Sequence, residues 1–286
     1  MNAARAQQYL ARIGLEDVAT LEQLVEAHLA SVPFENLDSF LKTPPPSKKA
    51  PPPLDDLLQQ TLSVDALFER IVVRRRGGDC FQLNCCFWYL LKALGFAVQF
   101  LPCRVFAGPE RGRGKKPGFR AAPSHFALLI DERVFVDVGF GEPPLCIDVT
   151  LLETPQRTPD GALHRVVVDG DKATLEWFLA DRWCPRLQWD TGRGARRRDD
   201  HPRALEPDRH FILATSKRGD DDARPVRTVT KATPLNAKVV VCRLTRDCKL
   251  TLSVSTKGAR LKRTRPRFGP DVVVTETPLA VADVRD

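Results

Sequence analysis

The chain has 286 residues, 43% hydrophobic and 28% charged, the balance of a folded protein of two or three small domains and not of a disordered one. No apolar run approaches the roughly 18 residues that a membrane-spanning helix requires, and the mixed, polar opening MNAARAQQYLARIGL is not that of a secretory signal. A formal charge of +8 directs attention to anionic partners; the basic bursts at 74–76, 196–198 and 262–267 are scattered and not gathered on one helical face as nucleic acid would ask, and a phosphate-rich small molecule explains the charge equally well.

ARAQQYLARIGL opens the chain with Tyr9, Leu10 and Ile13 at helical spacing and Gly14 as a stop. TLEQLVEAHLA repeats the pattern behind Thr20, a plausible N-cap. SVPFENLDSFL follows as an extended piece, because Pro33 biases Val32 away from the helix. The proline-dense segment 43–53 reads as an exposed, polyproline-like insertion. SVDALFERIVV resumes helix, with Ser63 as cap and Asp65 in the first turn. The run from Phe81 to Leu94 is apolar nearly all round, so it reads as a buried helix, ended by Gly95. Beyond Phe96 the texture becomes β: AVQFLPCRVFAG, HFALLID, RVFVDVGFG, HRVVVDG and ATLEWFLA are separated by turn residues, with a basic loop at 110–123. Residues 190–208 look like an interdomain crossing, and HFILATSKR, VRTVTK, KVVVCRLT, KLTLSVST and DVVVTETPL read as further strands.

Eight cysteines in a chain without a secretory signal point to a reducing, cytoplasmic location and to thiols, not disulfides. No C-x-x-C pair occurs and the five histidines do not cluster with cysteines, so no metal site is expected. Most of the cysteines read as small buried hydrophobes. Cys80 stands apart, directly behind Gly77, Gly78 and Asp79 at the mouth of the buried helix. There the unpaired N–H groups and the positive end of the helix dipole favour a thiolate, so a nucleophile competes with a structural cysteine.

A nucleophilic thiol needs a base. In SHFALLIDERVFVDVGFG, His125 and Asp137 stand six residues either side of Asp131. A hairpin centred on Asp131 would set them directly opposite each other on one face, where the carboxylate could orient the imidazole towards a thiol. An even-numbered loop would put them on opposite faces, and a surface hairpin with an incidental histidine is the alternative.

The ordered motifs VPFENLD, RRRGGDCFQLN, SHFALLI and VDVGFGEP, together with YLARIGL, resemble the arylamine N-acetyltransferase family from about Tyr9 to Pro144. The resemblance implies an α+β fold with an N-terminal helical bundle (1–97), a central β-barrel (98–205) and a C-terminal α/β lid (206–286) around a cysteine-protease-like core. It implies Cys80 as nucleophile, His125 as general base and Asp137 as the residue orienting that base. Phe34 and Phe140 are implied to line the acceptor pocket, with Gly139 and Gly141 flanking the latter. Glu35 and Arg76 are implied to form a supporting ion pair. Acetyl-CoA would be the co-substrate, no metal would be used, and a small aromatic amine or hydrazine would accept the acetyl group. The basic residues Lys115, Lys116 and Arg120 are candidates for contact with CoA phosphates. The alternative is a hydrolase or transglutaminase-like enzyme with the same Cys-His-Asp order, which would acylate from an amide.

Three features depart from the family pattern: Asp79 before the cysteine, the insertion at 43–53, and a short hairpin between His125 and Asp137. A carboxylate at Asp79 opposes a neighbouring thiolate. A solvent-facing Asp79, screened by water, is the expectation here.

Overall fold

The computed structural model describes residues 1–17, 19–37, 62–107, 117–141, 146–159, 161–179, 181–191, 239–245, 248–255, 258–265 and 273–279. The insertion at 43–53, Lys115, Lys116, the segment 192–208 and the expected strands HFILATSKR and VRTVTK lie outside these residues.

Helices come first. Helix α1 spans Ala3–Arg12, followed by Gly14 at φ +82°. Helix α2 spans Leu21–Ser31, and Thr20 and Gln23 cap it reciprocally, each side chain bonding the other's backbone N–H. SVDALFERIVV splits into α3, Val64–Phe68, capped by Ser63, and a π-helical turn, Glu69–Val73. Helix α4, Cys80–Ala93, buries Leu83, Cys85, Cys86, Phe87, Leu90 and Leu91 completely. Its surroundings are the apolar faces of α1, α2 and α3, so the helices share one core with the inner side of the first strands.

Two antiparallel sheets follow. The larger has nine strands: β2 (Val98–Ala107), β3 (Gly118–Phe119), β4 (His125–Ile130), β5 (Val134–Val136), β6 (Ile147–Asp148), β7 (Gln156–Arg157), β8 (Leu163–Asp169), β9 (Lys172–Leu179) and β10 (Arg182–Asp190). They run β6-β5-β4-β2-β10-β9-β8-β7, with β3 added on β2. The sheet curls into a nearly closed barrel around Leu101, Cys103, Ala127, Phe135, Leu175, Trp177, Leu187 and Trp189. Strand β10 is absent from the sequence reading; Pro185 sits where its pairing with β9 shifts register, which breaks the alternation that marks a strand.

The second sheet has five strands in the order β1-β11-β12-β13-β14: β1 (Phe34–Glu35), β11 (Val239–Leu244), β12 (Lys249–Ser255), β13 (Gly258–Arg265) and β14 (Val273–Leu279). Of the expected α/β lid, the described residues supply only strands. Strand β13 covers most of the basic burst at 262–267, which alternates across the sheet instead of forming a solvated tail. Strand β1, from the helical third, pairs with β11: Phe34 stands opposite Cys242 and Glu35 opposite Val241. Among the described residues no helix is long and apolar enough to cross a membrane.

Candidate active site

Cys80 is the first residue of α4, and Asp79 is its N-cap. Glycines are needed before it because β1 runs alongside: the Glu35 N–H donates to Gly78 O at 2.8 Å, and the Gly78 N–H donates to Pro33 O at 3.3 Å. A Cβ on Gly77 would overlap the Pro33 carbonyl oxygen, so only glycine fits. Gly77 therefore serves the approach of PFE, while a Cβ on Gly78 would crowd the Gln82 side chain at 2.9 Å.

His125 begins β4, opposite Cys103 of β2, and its side chain is buried. Strands β4 and β5 pair Leu128 with Val136 and Ile130 with Val134, so the hairpin is centred on Glu132 and not on Asp131. Asp131 and Glu132 both take positive φ, 51° and 54°, and the Arg133 N–H closes the turn on Ile130 O at 2.9 Å. The direct opposition of His125 and Asp137 expected from the sequence is thereby corrected to a diagonal. The shift of register leaves an odd loop, which keeps both side chains on one face. His125 Nε2 and Asp137 Oδ2 are 2.7 Å apart, both residues buried.

Asn84, one turn into α4 and fully buried, ties α4 to the β4–β5 hairpin. Its Nδ2 donates to Asp137 Oδ1 and to Phe126 O, each at 2.9 Å, and its Oδ1 accepts from the Val138 N–H at 3.0 Å. Asp137 Oδ1 also accepts from the Gly139 N–H at 2.8 Å. Gly139 lies so close to α4 that a Cβ there would meet Cys80 Cα, Cys80 O and Asn84 Nδ2, each at 2.8 Å. The Asp137–Gly139 segment thus presses directly on the thiol's backbone. The RRRGGDCFQLN motif contained Asn84 without a role; its signal was an amide inside the otherwise mostly apolar run of the helix.

The Phe140 ring packs edge-on to the His125 ring, centroids 5.1 Å apart, and Trp177 of the barrel lies behind it at 6.3 Å. Phe34 reaches the same neighbourhood through β11: the Cys242 thiol, opposite Phe34, donates to Gly141 O at 3.3 Å. Glu35 Oε1 accepts from Arg76 Nη2 at 2.7 Å. It also accepts from Arg70 Nη2, an arginine the sequence reading did not single out, while Arg70 Nε donates to Gly77 O at 2.6 Å. Arg120 is exposed next to β3.

Burial pushes Cys80 well above the ordinary thiol range, and the Asp79 and Asp137 carboxylates push the same way. The backbone N–H groups of Phe81 and Cys80 pull the other way. Asp79, expected from the sequence to face solvent, is half-buried. Its Oδ1 accepts from the Gln82 N–H at 2.9 Å, and burial raises its own carboxyl against the pull of that bond. Cys85 and Cys86 are buried in the second turn of α4, and burial pushes Cys86 up to about 12.

A thiol, a carboxylate-bound imidazole and a glycine loop pressed together are the constellation of cysteine acyl transfer. The sequence model of the N-acetyltransferase family matches residues 17–264. The arylamine N-acetyltransferase of Mycolicibacterium smegmatis is 34% identical over 193 residues, 64% of this chain and 63% of that protein. The structure of M. smegmatis arylamine N-acetyl transferase superposes with a TM-score of 0.67 at 26% identity, covering 96% of this chain and 86% of that one. The Mycobacterium marinum enzyme in complex with CoA shares the fold, with a TM-score of 0.67 at 23% identity over 98% of this chain and 89% of that one. The chain belongs to the arylamine N-acetyltransferase family. Its sequence match spans 63% of the length of the curated M. smegmatis relative.

Proposed function

We propose that this protein moves an acetyl group from acetyl-CoA to an arylamine or hydrazine through an acetyl-Cys80 intermediate. The observation that carries the reading is the buried His125 Nε2–Asp137 Oδ2 contact of 2.7 Å beside the Cys80 backbone. With Nε2 occupied by the carboxylate, Nδ1 is the nitrogen that takes the thiol proton. The Cys80 sulfur then attacks the thioester carbonyl carbon, the C–S bond to CoA breaks, and His125 returns the proton to the departing thiolate. In the second half the amine nitrogen attacks acetyl-Cys80, His125 accepts its proton, and the Cys80 sulfur leaves and is reprotonated.

In this reading Phe34 and Phe140 form the walls for the acceptor ring, while Gly139 and Gly141 let the loop approach the thiol. Glu35, with Arg76 and Arg70, supports the RGG segment from beneath. The helical unit 1–97 supplies the nucleophile, the barrel unit 98–205 supplies His125 and Asp137, and the unit 206–286 closes over them. The eight free cysteines fit a reducing cytoplasm.

The test is direct. Incubation with acetyl-CoA should add one acetyl group to the Cys80 peptide, and none to a Cys80→Ser variant. Addition of an arylamine should discharge it, with parallel lines in initial-rate plots against both substrates. Intersecting lines, or an enzyme acylated only from amides, would overturn the reading.

A further inference from the structure

Gly141 follows Phe140 at φ +79°, a turn that glycine takes without strain. The buried Cys242 thiol of β11 donates to the Gly141 carbonyl at 3.3 Å. The same sulfur accepts from Thr251 Oγ1 of β12 at 3.7 Å. Thr251 stands opposite Cys242 on one side, and Phe34 of β1 stands opposite it on the other. Directly opposed residues share a face, so Phe34, Cys242 and Thr251 form one row whose middle member touches the Phe140 turn. Asn36 pins that register: its N–H donates to Val240 O at 3.3 Å, and its Oδ1 accepts the Val240 N–H at 2.6 Å. The three residues before Cys242 in β11 are valines. The position that meets the turn is the one that carries a donor.

We propose that Cys242 is a positioning residue of the acceptor pocket: its thiol holds the Phe140 turn in place relative to Phe34, so that both aromatic walls are set for the amine that discharges acetyl-Cys80. The inference rests on the proposed acetyl transfer, with Phe34 and Phe140 as the acceptor walls. Strand pairing fixes Phe34 to Cys242, and the hydrogen bond to the next residue fixes Phe140, so one side chain sets both. Thr251 gives the sulfur its direction: with the Thr251 O–H aimed at the sulfur, the S–H is left for Gly141 O. The Phe140 ring packs edge-on to His125, centroids 5.1 Å apart, which keeps wall and base in one arrangement. The contacts that fix Asp137 run through Asn84 and Gly139, not through Gly141. Acetylation of Cys80, which needs no amine in the pocket, therefore does not depend on the tether. The tether acts on the second half of the reaction.

The experiment compares wild type with Cys242→Ala and Cys242→Val, which remove the donor and bracket the cysteine in size, and with Cys242→Ser, which restores an O–H. Should one donor-free variant fail to fold, the other carries the test. Two steps are read on the full chain by mass spectrometry of the Cys80 peptide: acetylation by acetyl-CoA, and discharge by p-anisidine, a single-ring arylamine. Both donor-free variants should acetylate within about twofold of wild type, while the p-anisidine concentration for half-maximal discharge rises about threefold or more, the worth of one hydrogen bond. Serine should bring that concentration back to within about twofold of wild type, which a loss of packing alone would not do. Unchanged discharge in the donor-free variants, equal losses in the two steps, or a serine variant as impaired as alanine and valine would each overturn the inference, while normal acetylation and discharge of wild type leave the acetyl-transfer reading intact. A wild type that forms no acetyl-Cys80 would overturn both.

Discussion

Asn84 Nδ2 lies 2.9 Å from Asp137 Oδ1, the amide on the nucleophile's helix and the carboxylate at the end of the hairpin, both fully buried. One side chain thus joins the two halves of the site. Asn84→Leu keeps the volume roughly and removes three hydrogen bonds, leaving Phe126 O and the Val138 N–H without the amide. The expected loss is about 2–4 kcal/mol of stability, since each orphaned buried group costs about 1–3. Turnover should fall at least about tenfold as Asp137 loses its fixed position. Urea unfolding and steady-state rates check both; a loss below about 1 kcal/mol would show that the hub is not structural.

The Glu35 clamp makes an ordered pair of predictions. The Arg70 side chain is 12% exposed and Arg76 38%, while Glu35 beneath them is 3% exposed. Arg70→Met should cost about 3 kcal/mol, because it leaves a buried carboxylate short of its better-covered partner. Arg76→Met should cost about 1 kcal/mol or less, because water screens the exposed guanidinium. Unfolding free energies in the reverse order would refute the assignment of Arg70 as the main support.

Gly139→Ala forces a methyl group to 2.8 Å from Cys80 Cα and Asn84 Nδ2. Both neighbours belong to a fixed helix, so the loop must move. Overpacking of this kind costs about 1–3 kcal/mol. Activity should fall further than stability does, because the displacement separates Asp137 from its helix. An active, equally stable variant would contradict the close approach.

His28 gives a pH prediction remote from the chemistry. Its Nδ1 meets Tyr9 OH at 2.9 Å in the helical core, and burial, helped by the Arg12 charge, lowers its pKa to about 3. The unfolded chain takes up a proton as pH falls through about 6.5, and the folded chain does not until near 3. Its contribution is therefore neutral above pH 6.5 and increasingly destabilising below it, by about 1.4 kcal/mol for each pH unit. His28→Gln should flatten the acid slope of urea midpoints between about pH 6 and pH 4. Parallel slopes for the two proteins would show that His28 charges in place.

Local signals carried much of the sequence reading, and long-range ones were missing from it. Thr20, Ser63 and Gly95 are legible because a cap is a contact within four residues. The hairpin's face was legible from parity, but not its register, since Asp131 and Glu132 share the left-handed turn and neither is a glycine that would mark its centre. Strand β13 escaped because Arg260, Lys262 and Thr264 line an open face, where charge masks the alternation with Ala259 and Leu261. Arg70 escaped because the π-helical turn re-aims it, which no helical periodicity foretells. Asp79 was misplaced through weighing the thiol's needs and not the helix's: the orphan Gln82 N–H claims the carboxylate first.

The pairing of β1 with β11 has a consequence for how the protein is made. Asn36 Oδ1 accepts from the Val240 N–H at 2.6 Å across 204 residues of sequence. Cys80, His125 and Asp137 have all left the ribosome long before Val240 does, so the nascent chain holds them next to an unzipped edge at Phe34. Contacts this distant in sequence form late and slowly. The pairing of β1 therefore waits on the last sixth of the chain, and any break in translation before β11 leaves Phe34 and Glu35 without their strand partner.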